Sequence, residues 1–167
     1  LALAPLWLKD KFLYLIEREK NYAKAGRQAR IIAKMNSLCD KDVITALYEA
    51  SAAGVKIDLI VRGICCLKVG IPGVSENITV RSIVGNFLEH SRIFYFENDE
   101  NPESYCGSAD WMPRNLERRV EILFPVERAE LKEKIMHILQ YQLQDNLKSH
   151  ILQSDGTYEK VDKRGKT

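Results

Sequence analysis

Two short segments of this sequence carry basic side chains at a spacing suited to phosphate. His90 and Arg92 stand two residues apart before an apolar run, and because side chains alternate along a strand, both would lie on one side of it. Arg62 ends an alternating run and stands immediately before Gly63. Ligands of open α/β sheets bind at the carboxyl ends of strands, Arg grips phosphate oxygens with two N–H donors, and glycine lets a ligand approach the backbone closely. These residues predict a phosphate site in which His90 is the catalytic candidate and Arg62 is a clamp.

A third basic side chain, Arg119, belongs to a strand predicted over residues 119–126. Arg119 shares one face of that strand with Glu121, so the carboxylate can orient the guanidinium toward a ligand. We expect Arg119 to bind substrate or nucleotide, and we interpret Arg114 and Arg118 as solvated residues of a basic turn.

Each candidate also has a purely structural interpretation. His90 taken alone fits a partly buried histidine that hydrogen-bonds to backbone at a strand end. Arg62 equally fits a surface arginine whose aliphatic stem covers the sheet edge. His137 and His150 have no partner at metal-ligand spacing, so the sequence predicts no metal site in this chain.

Composition limits the class of protein. A chain of 167 residues with 46% hydrophobic and 29% charged residues fits one globular domain. A formal charge of +2 is too small to favour a nucleic-acid partner, and no apolar run is long enough for a transmembrane segment. Because the chain starts at Leu1 without Met or the features of a signal peptide, we interpret that start as a boundary inside a longer protein.

The four cysteines are Cys39, Cys65, Cys66 and Cys106, and they contain no CxxC pair. Adjacent Cys65 and Cys66 would form a disulfide only with severe strain. We interpret all four as small buried hydrophobic residues of a protein in a reducing cytoplasm.

Hydrophobic periodicity predicts an α/β fold with one mixed sheet. The spacing predicts a parallel strand–helix–strand unit, with Asp40 as the N-cap of its helix and Gly54 as the C-cap. Helices are predicted over residues 7–25, 41–53 and 127–152, strands over 30–38, 55–62, 78–84, 91–96, 105–109 and 119–126, and a frayed polar tail after residue 153.

One segment resembles the phospholipase D superfamily motif, in which His and a Lys two residues later enter a buried strand and a GSxN turn follows the next strand. Here the corresponding residues are His90, Arg92 and the turn Gly107-Ser-Ala-Asp110, so Arg replaces Lys and Asp replaces Asn. The resemblance implies a phospholipase-D-like sheet flanked by helices. A phosphodiesterase or nuclease that acts as a dimer is the alternative function, although Arg is a poor proton donor and Asp110 would repel phosphate if it faced the site.

Longer stretches resemble the C-terminal region of bacterial polyphosphate kinases. They are KMNSLCD, LYEASAAGVKIDLIVRGICCL, SENITVRSIVGNFLEHSRIFYFEN and SADWMPRNLERRVEILFPV, and the resemblance covers about residues 30–147. It implies that residues 1–29 are the helical end of a preceding domain or a linker, 30–152 the phospholipase-D-like catalytic domain, and 153–167 a polar basic tail.

The same resemblance implies reversible transfer of the ATP γ-phosphate to inorganic polyphosphate through a phosphohistidine in the preceding domain. Arg62 would contact nucleotide phosphate, and His90 would be the second, non-phosphorylated histidine. ATP would act with Mg²⁺, whose ligands we expect mostly outside this chain. We also expect a chain that is inactive alone, and a homo-oligomeric, cytoplasmic full-length protein, with membrane association left open.

Overall fold

The computed structural model describes residues 2–3, 7–83, 92–113, 116, 122–144 and 149–161. Within them lie three helices, α1 (Leu8–Lys24), α2 (Lys41–Ala53) and α3 (Ala129–Gln144). The strands are β1 (Ala2–Leu3), β2 (Arg30–Met35), β3 (Lys56–Val61), β4 (Ile78–Ile83), β5 (Arg92–Phe96), β6 (Glu103–Gly107), β7 (Ile122–Val126), β8 (Ser149–Leu152) and β9 (Tyr158–Lys160).

The nine described strands form one mixed sheet in the order β1-β7-β6-β5-β2-β3-β4-β8-β9. Its middle strands β2, β3 and β4 run parallel, and the remaining neighbours pair antiparallel. The register of β2 with β3 runs from Arg30 opposite Lys56 to Met35 opposite Val61. The predicted parallel pair and the predicted α/β sheet flanked by helices are therefore confirmed.

Helix α2 begins and ends where the sequence predicts. The Asp40 carboxylate accepts the backbone N–H of Val43 at 3.0 Å and also pairs with Lys9 at 3.2 Å, so it caps the helix and contacts α1. Gly54 closes the helix with φ of 107°, a left-handed conformation that costs glycine little.

The two faces of the sheet bury different helices. Alternation along β2 sends Ile31 and Ala33 into the larger core beneath α1 and α2, and sends Ile32 to the opposite face. There Ile32 packs with Ile60 and with Leu139 of α3. None of the helices in the described ranges is long and apolar enough to span a membrane.

The predicted helix over residues 127–152 is too long. Its regular part ends at Gln144, and Ser149–Leu152 forms β8 instead. β8 pairs antiparallel with β4. Without β8, the backbone N–H and C=O groups on that side of β4 would lie unpaired at an open edge of the sheet. The tail is also more ordered than predicted, because Tyr158–Lys160 pairs with β8 as β9.

Helix α1 packs as part of the larger core. Phe12 is fully buried, with its ring centroid 4.7 Å from that of Phe94 and 5.4 Å from that of Trp111. Rings at these separations add to the free energy of burial. The domain boundary at residue 29 stays a prediction, but the core beneath the sheet contains side chains from both sides of it.

A buried carboxylate also connects α1 to the turn between β5 and β6. Both oxygens of Glu19 accept the backbone N–H of Asn98 at 3.1 Å. Burial raises the pKa of Glu19, while hydrogen bonds from the backbone of Asn98 and Arg30 act in the opposite direction. The turn has positive φ at Asn98, Asp99 and Glu100, so these contacts hold a backbone conformation that non-glycine residues rarely adopt.

We predict that Phe12→Ala lowers the free energy of unfolding by about 3–5 kcal/mol, because it leaves a cavity between Phe94 and Trp111. Tyr14→Ala on the same helix is the matched control, since the Tyr14 side chain is 58% exposed. Urea unfolding of the chain measures both. Equal effects of the two substitutions would mean that α1 is not part of the folding unit.

Candidate active site

Arg62 lies at the carboxyl end of β3, directly after Val61. Its side chain is exposed, and its backbone N–H donates to the carbonyl of Met35 at 3.2 Å. The backbone of Arg62 is thus held against β2 while its guanidinium faces solvent. This position fits a phosphate clamp, and the binding role itself stays a prediction.

Gly63 brings the chains after β2 and β3 into unusually close approach. Its N–H donates to the carbonyl of Asn36 at 2.6 Å. A Cβ at position 63 would lie 2.8 Å from that carbonyl oxygen and 3.3 Å from the Ser37 hydroxyl, too close for any other residue without a backbone shift. Gly63 was predicted to allow the close approach of a ligand, whereas the atoms that approach it here belong to the protein's own backbone and to Ser37.

Beyond Gly63, backbone hydrogen bonds continue to connect the loops after β2 and β3, and they also include the loop after β6. The Leu38 N–H donates to the Ile64 carbonyl, and the Cys66 N–H donates to the Leu38 carbonyl, both at 2.9 Å. From the loop after β6, the Trp111 carbonyl accepts the N–H groups of Cys39 at 2.7 Å and Asp40 at 2.8 Å. Loops after β2, β3 and β6 therefore form one hydrogen-bonded surface at this end of the sheet.

The two departures from the phospholipase D motif pair with each other. Arg92 Nε lies 3.1 Å from Asp110 Oδ1, and the same oxygen accepts the backbone N–H of Asn36 at 2.8 Å. Asp110 is only 6% exposed. Because the guanidinium compensates the carboxylate inside the protein, Asp110 does not present an unbalanced negative charge to a phosphate.

Lys34 is a further basic residue near the end of β2 that was not among the predicted site residues. It lies opposite Ile60 on β3 and Ile93 on β5, on the face of β2 that also carries Ile32. The side chain is half-buried, and desolvation lowers the pKa of its ammonium group. In the sequence, Lys34 shares a strand face with Ile32 and Asn36 near the end of a predicted strand, and this position could have identified it as a candidate.

The remaining sequence candidates lie outside the described residues. These are His90, Arg119 and Glu121. Their predicted roles stay predictions.

The interpretation of all four cysteines as buried residues is wrong for Cys66, which is exposed, whereas Cys39, Cys65 and Cys106 are half-buried. Cys65 and Cys106 do pack against the hydrophobic clusters. Cys39, Cys65 and Cys66 stand in or beside the loops at the sheet's carboxyl end. Along the described ranges, no group of three or more His, Cys, Asp or Glu side chains is arranged to hold a metal ion.

A family model named polyphosphate kinase C-terminal domain 2 matches residues 1–167. The chain belongs to this family. Among its relatives are the polyphosphate kinases of Thermosynechococcus vestitus, 56% identical over 158 residues, and of Pseudomonas aeruginosa, 54% identical over 162 residues. These alignments cover 95% and 97% of the chain but 22% and 24% of the relatives, so this polyphosphate kinase domain spans about a quarter of their length.

Solved structures agree with the family and the fold. The crystal structure of polyphosphate kinase from Porphyromonas gingivalis superposes with a TM-score of 0.95 at 43% identity, covering 99% of this chain and 26% of that one. NucT from Helicobacter pylori and the phospholipase D family member Nuc from Salmonella typhimurium each give a TM-score of 0.61 at 16% identity. The superposition with NucT covers 86% of this chain and 93% of the NucT chain. The superposition with Nuc covers 85% of this chain and 91% of the Nuc chain. The polyphosphate kinase domain therefore has the predicted phospholipase-D-like fold.

In this polyphosphate kinase domain, we predict that Arg92→Ala lowers the free energy of unfolding by about 2–4 kcal/mol, because the buried Asp110 carboxylate loses its cationic partner. Arg27→Ala is the control, since Arg27 makes an exposed ion pair with Asp99 at 2.7 Å. Chemical denaturation should detect a clear loss for Arg92→Ala and no resolvable change for Arg27→Ala. A loss of similar size in both would contradict the charge compensation inferred for Asp110.

Proposed function

We propose that the protein containing this chain is a polyphosphate kinase that reversibly transfers the γ-phosphate of ATP to inorganic polyphosphate. Membership of the family and the names of relatives at 54–56% identity support this activity. The chain spans only 22–24% of those relatives, so we assign it one part of the site and assign the phosphohistidine to the preceding part of the protein. ATP, ADP and polyphosphate are its partners in this proposal.

The exposed Arg62 at the carboxyl end of β3 is the observation that carries the proposal. Phosphoryl transfer depends on positioning and on positive charge that offsets the charge of the moving phosphoryl group. A guanidinium whose backbone is held by Met35 and whose side chain reaches solvent meets both needs. In this role Arg62 binds nucleotide phosphate.

His90 is the proposed catalytic residue of this chain. In the sequence it stands two residues before Arg92, where β5 begins, and β5 pairs with β2. We infer that His90 supplies a charged hydrogen bond or a proton as the leaving oxygen develops charge, opposite the histidine that carries the phosphate. Arg119 adds a third cation that binds substrate or nucleotide.

Mg²⁺ would accompany ATP and offset phosphate charge. We assign the metal's protein ligands mostly to the preceding part of the protein, as the family resemblance implies. The basic residues of this chain act on the phosphates directly. Homo-oligomeric assembly and a cytoplasmic location of the full-length protein stay predictions from the family resemblance.

In the complete protein, we predict that Arg62→Ala and His90→Ala each lower kcat/KM for ATP-dependent polyphosphate synthesis by about 100-fold or more, because each removes an interaction with transferring phosphate. Arg62→Lys keeps the charge but loses the two-pronged donor, so its activity should fall between those of Arg62→Ala and the parent. Arg27→Ala, which removes an exposed arginine paired with Asp99, should retain parental activity.

Full synthesis by both alanine variants would refute the assigned roles even though the family is established. Robust synthesis by the isolated chain would refute the assignment of the phosphohistidine to another domain. Cleavage of a generic phosphodiester reporter by the chain, lost on His90→Ala, would instead support the phosphodiesterase alternative.

A further inference from the structure

Two cysteines that are distant in sequence contact each other beside the candidate site. The Sγ atoms of Cys39 and Cys66 are 2.8 Å apart although the residues are separated by 27 positions. Cys39 follows β2 and precedes α2, whereas Cys66 lies four residues after Arg62. The contact therefore joins the loop after β2 to the loop after β3, which begins at Arg62.

The backbone, rather than side-chain flexibility, brings these sulfurs together. Leu38 pairs in parallel with Cys65 as an isolated bridge, so the next residues along both chains, Cys39 and Cys66, are neighbours. Hydrogen bonds from Leu38 to Ile64 and from Cys66 to Leu38 hold this arrangement. A disulfide requires Cβ atoms a few ångströms apart, and adjacent positions on paired chains satisfy that requirement.

Cys66, rather than Cys65, is the cysteine whose sulfur contacts the sulfur of Cys39. Cys65 packs against the larger core, and its sulfur lies 3.7 Å from the Leu67 carbonyl oxygen. Cys66 is exposed, and both cysteines line a cleft of about 370 Å³ together with Lys68 and Tyr158.

The two sulfurs differ in how readily they can react. Burial and the contact with Cys66 raise the pKa of the Cys39 thiol to about 12, so Cys39 is the poorer first nucleophile. Cys66 faces a cleft that a small molecule can enter, which makes it the sulfur that an oxidant meets first.

We propose that Cys39 and Cys66 are a dithiol oxidation site, at which a small-molecule disulfide converts the two thiols into one intramolecular disulfide. Cys66 Sγ first attacks the small disulfide, forming a mixed disulfide and releasing one small thiol. Cys39 Sγ then attacks Cys66 Sγ, forming the protein disulfide and releasing the second small thiol. Two electrons pass from the protein to the small disulfide, and the two thiol protons leave on the released thiols.

The bond would close a covalent loop that contains α2, β3 and Arg62. It would connect positions that the backbone already holds together, so the native state changes little while the unfolded chain loses conformational freedom. This inference stands independently of the proposed kinase activity, because it concerns sulfur chemistry alone. A thiol reductant should reverse it.

The site can be tested by incubating the chain with oxidised glutathione, alkylating remaining thiols and digesting with trypsin. The variant Cys65→Ser is used because trypsin cleavage after Arg62 and Lys68 otherwise leaves both adjacent cysteines on one peptide. We expect mass spectrometry to find peptide 35–41 joined to peptide 63–68, with the loss of two hydrogen atoms. Thermal unfolding should show a rise in Tm of roughly 10 °C that dithiothreitol removes.

Cys66→Ser, whose side chain is exposed and should not disturb folding, must abolish both the joined peptide and the Tm shift. Cys106→Ser should leave both unchanged. Recovery of Cys39 fully alkylated while glutathione remains on Cys66 would overturn the proposal. So would a joined peptide that appears only between two molecules, as a dimer on non-reducing gels.

Discussion

The pairing of β2 with β3 and its continuation past the strand ends is the interaction on which the candidate site depends. The carboxyl ends of neighbouring parallel strands lie at the same edge of a sheet, and the loops that follow the two strands can separate from each other there. Here hydrogen bonds from Arg62, Gly63 and Cys66 keep the two chains adjacent. Because position 63 has no Cβ, Asn36 can approach closely, and the backbone at Arg62 and Gly63 is hydrogen-bonded to the chain that follows β2.

A second constraint acts on charge. A buried carboxylate at position 110 would be costly and would oppose phosphate binding, yet Arg92 and the backbone N–H of Asn36 offset it. The same oxygen thereby connects β5, the loop after β2 and the loop after β6. Asp110 is thus a structural acid that joins the elements around the candidate site.

The loops that form this surface serve more than one purpose. Their hydrogen bonds orient Arg62, cap the start of α2 through Asp40, and bring Cys39 beside Cys66. The chain spans about a quarter of the length of its relatives. In the proposed function, these hydrogen bonds would position Arg62 before a phosphate arrives, which phosphoryl transfer requires.

The sequence by itself determined the family, the central α/β unit, the caps at Asp40 and Gly54, and the position of Arg62 at a strand end. The family follows from long stretches of similar sequence and the caps from the residue types at their positions, whereas the α/β unit follows from local periodicity, which indicates which side of an element is buried. Only the tertiary structure decided that residues 149–152 form a strand, that Asp110 pairs with Arg92, and that Cys39 meets Cys66. The physical reason is that these features depend on partners far along the chain. The open edge of β4 offers residues 149–152 hydrogen bonds that override their helical pattern. The role of a buried charge or of a thiol likewise depends on which residue the fold places next to it.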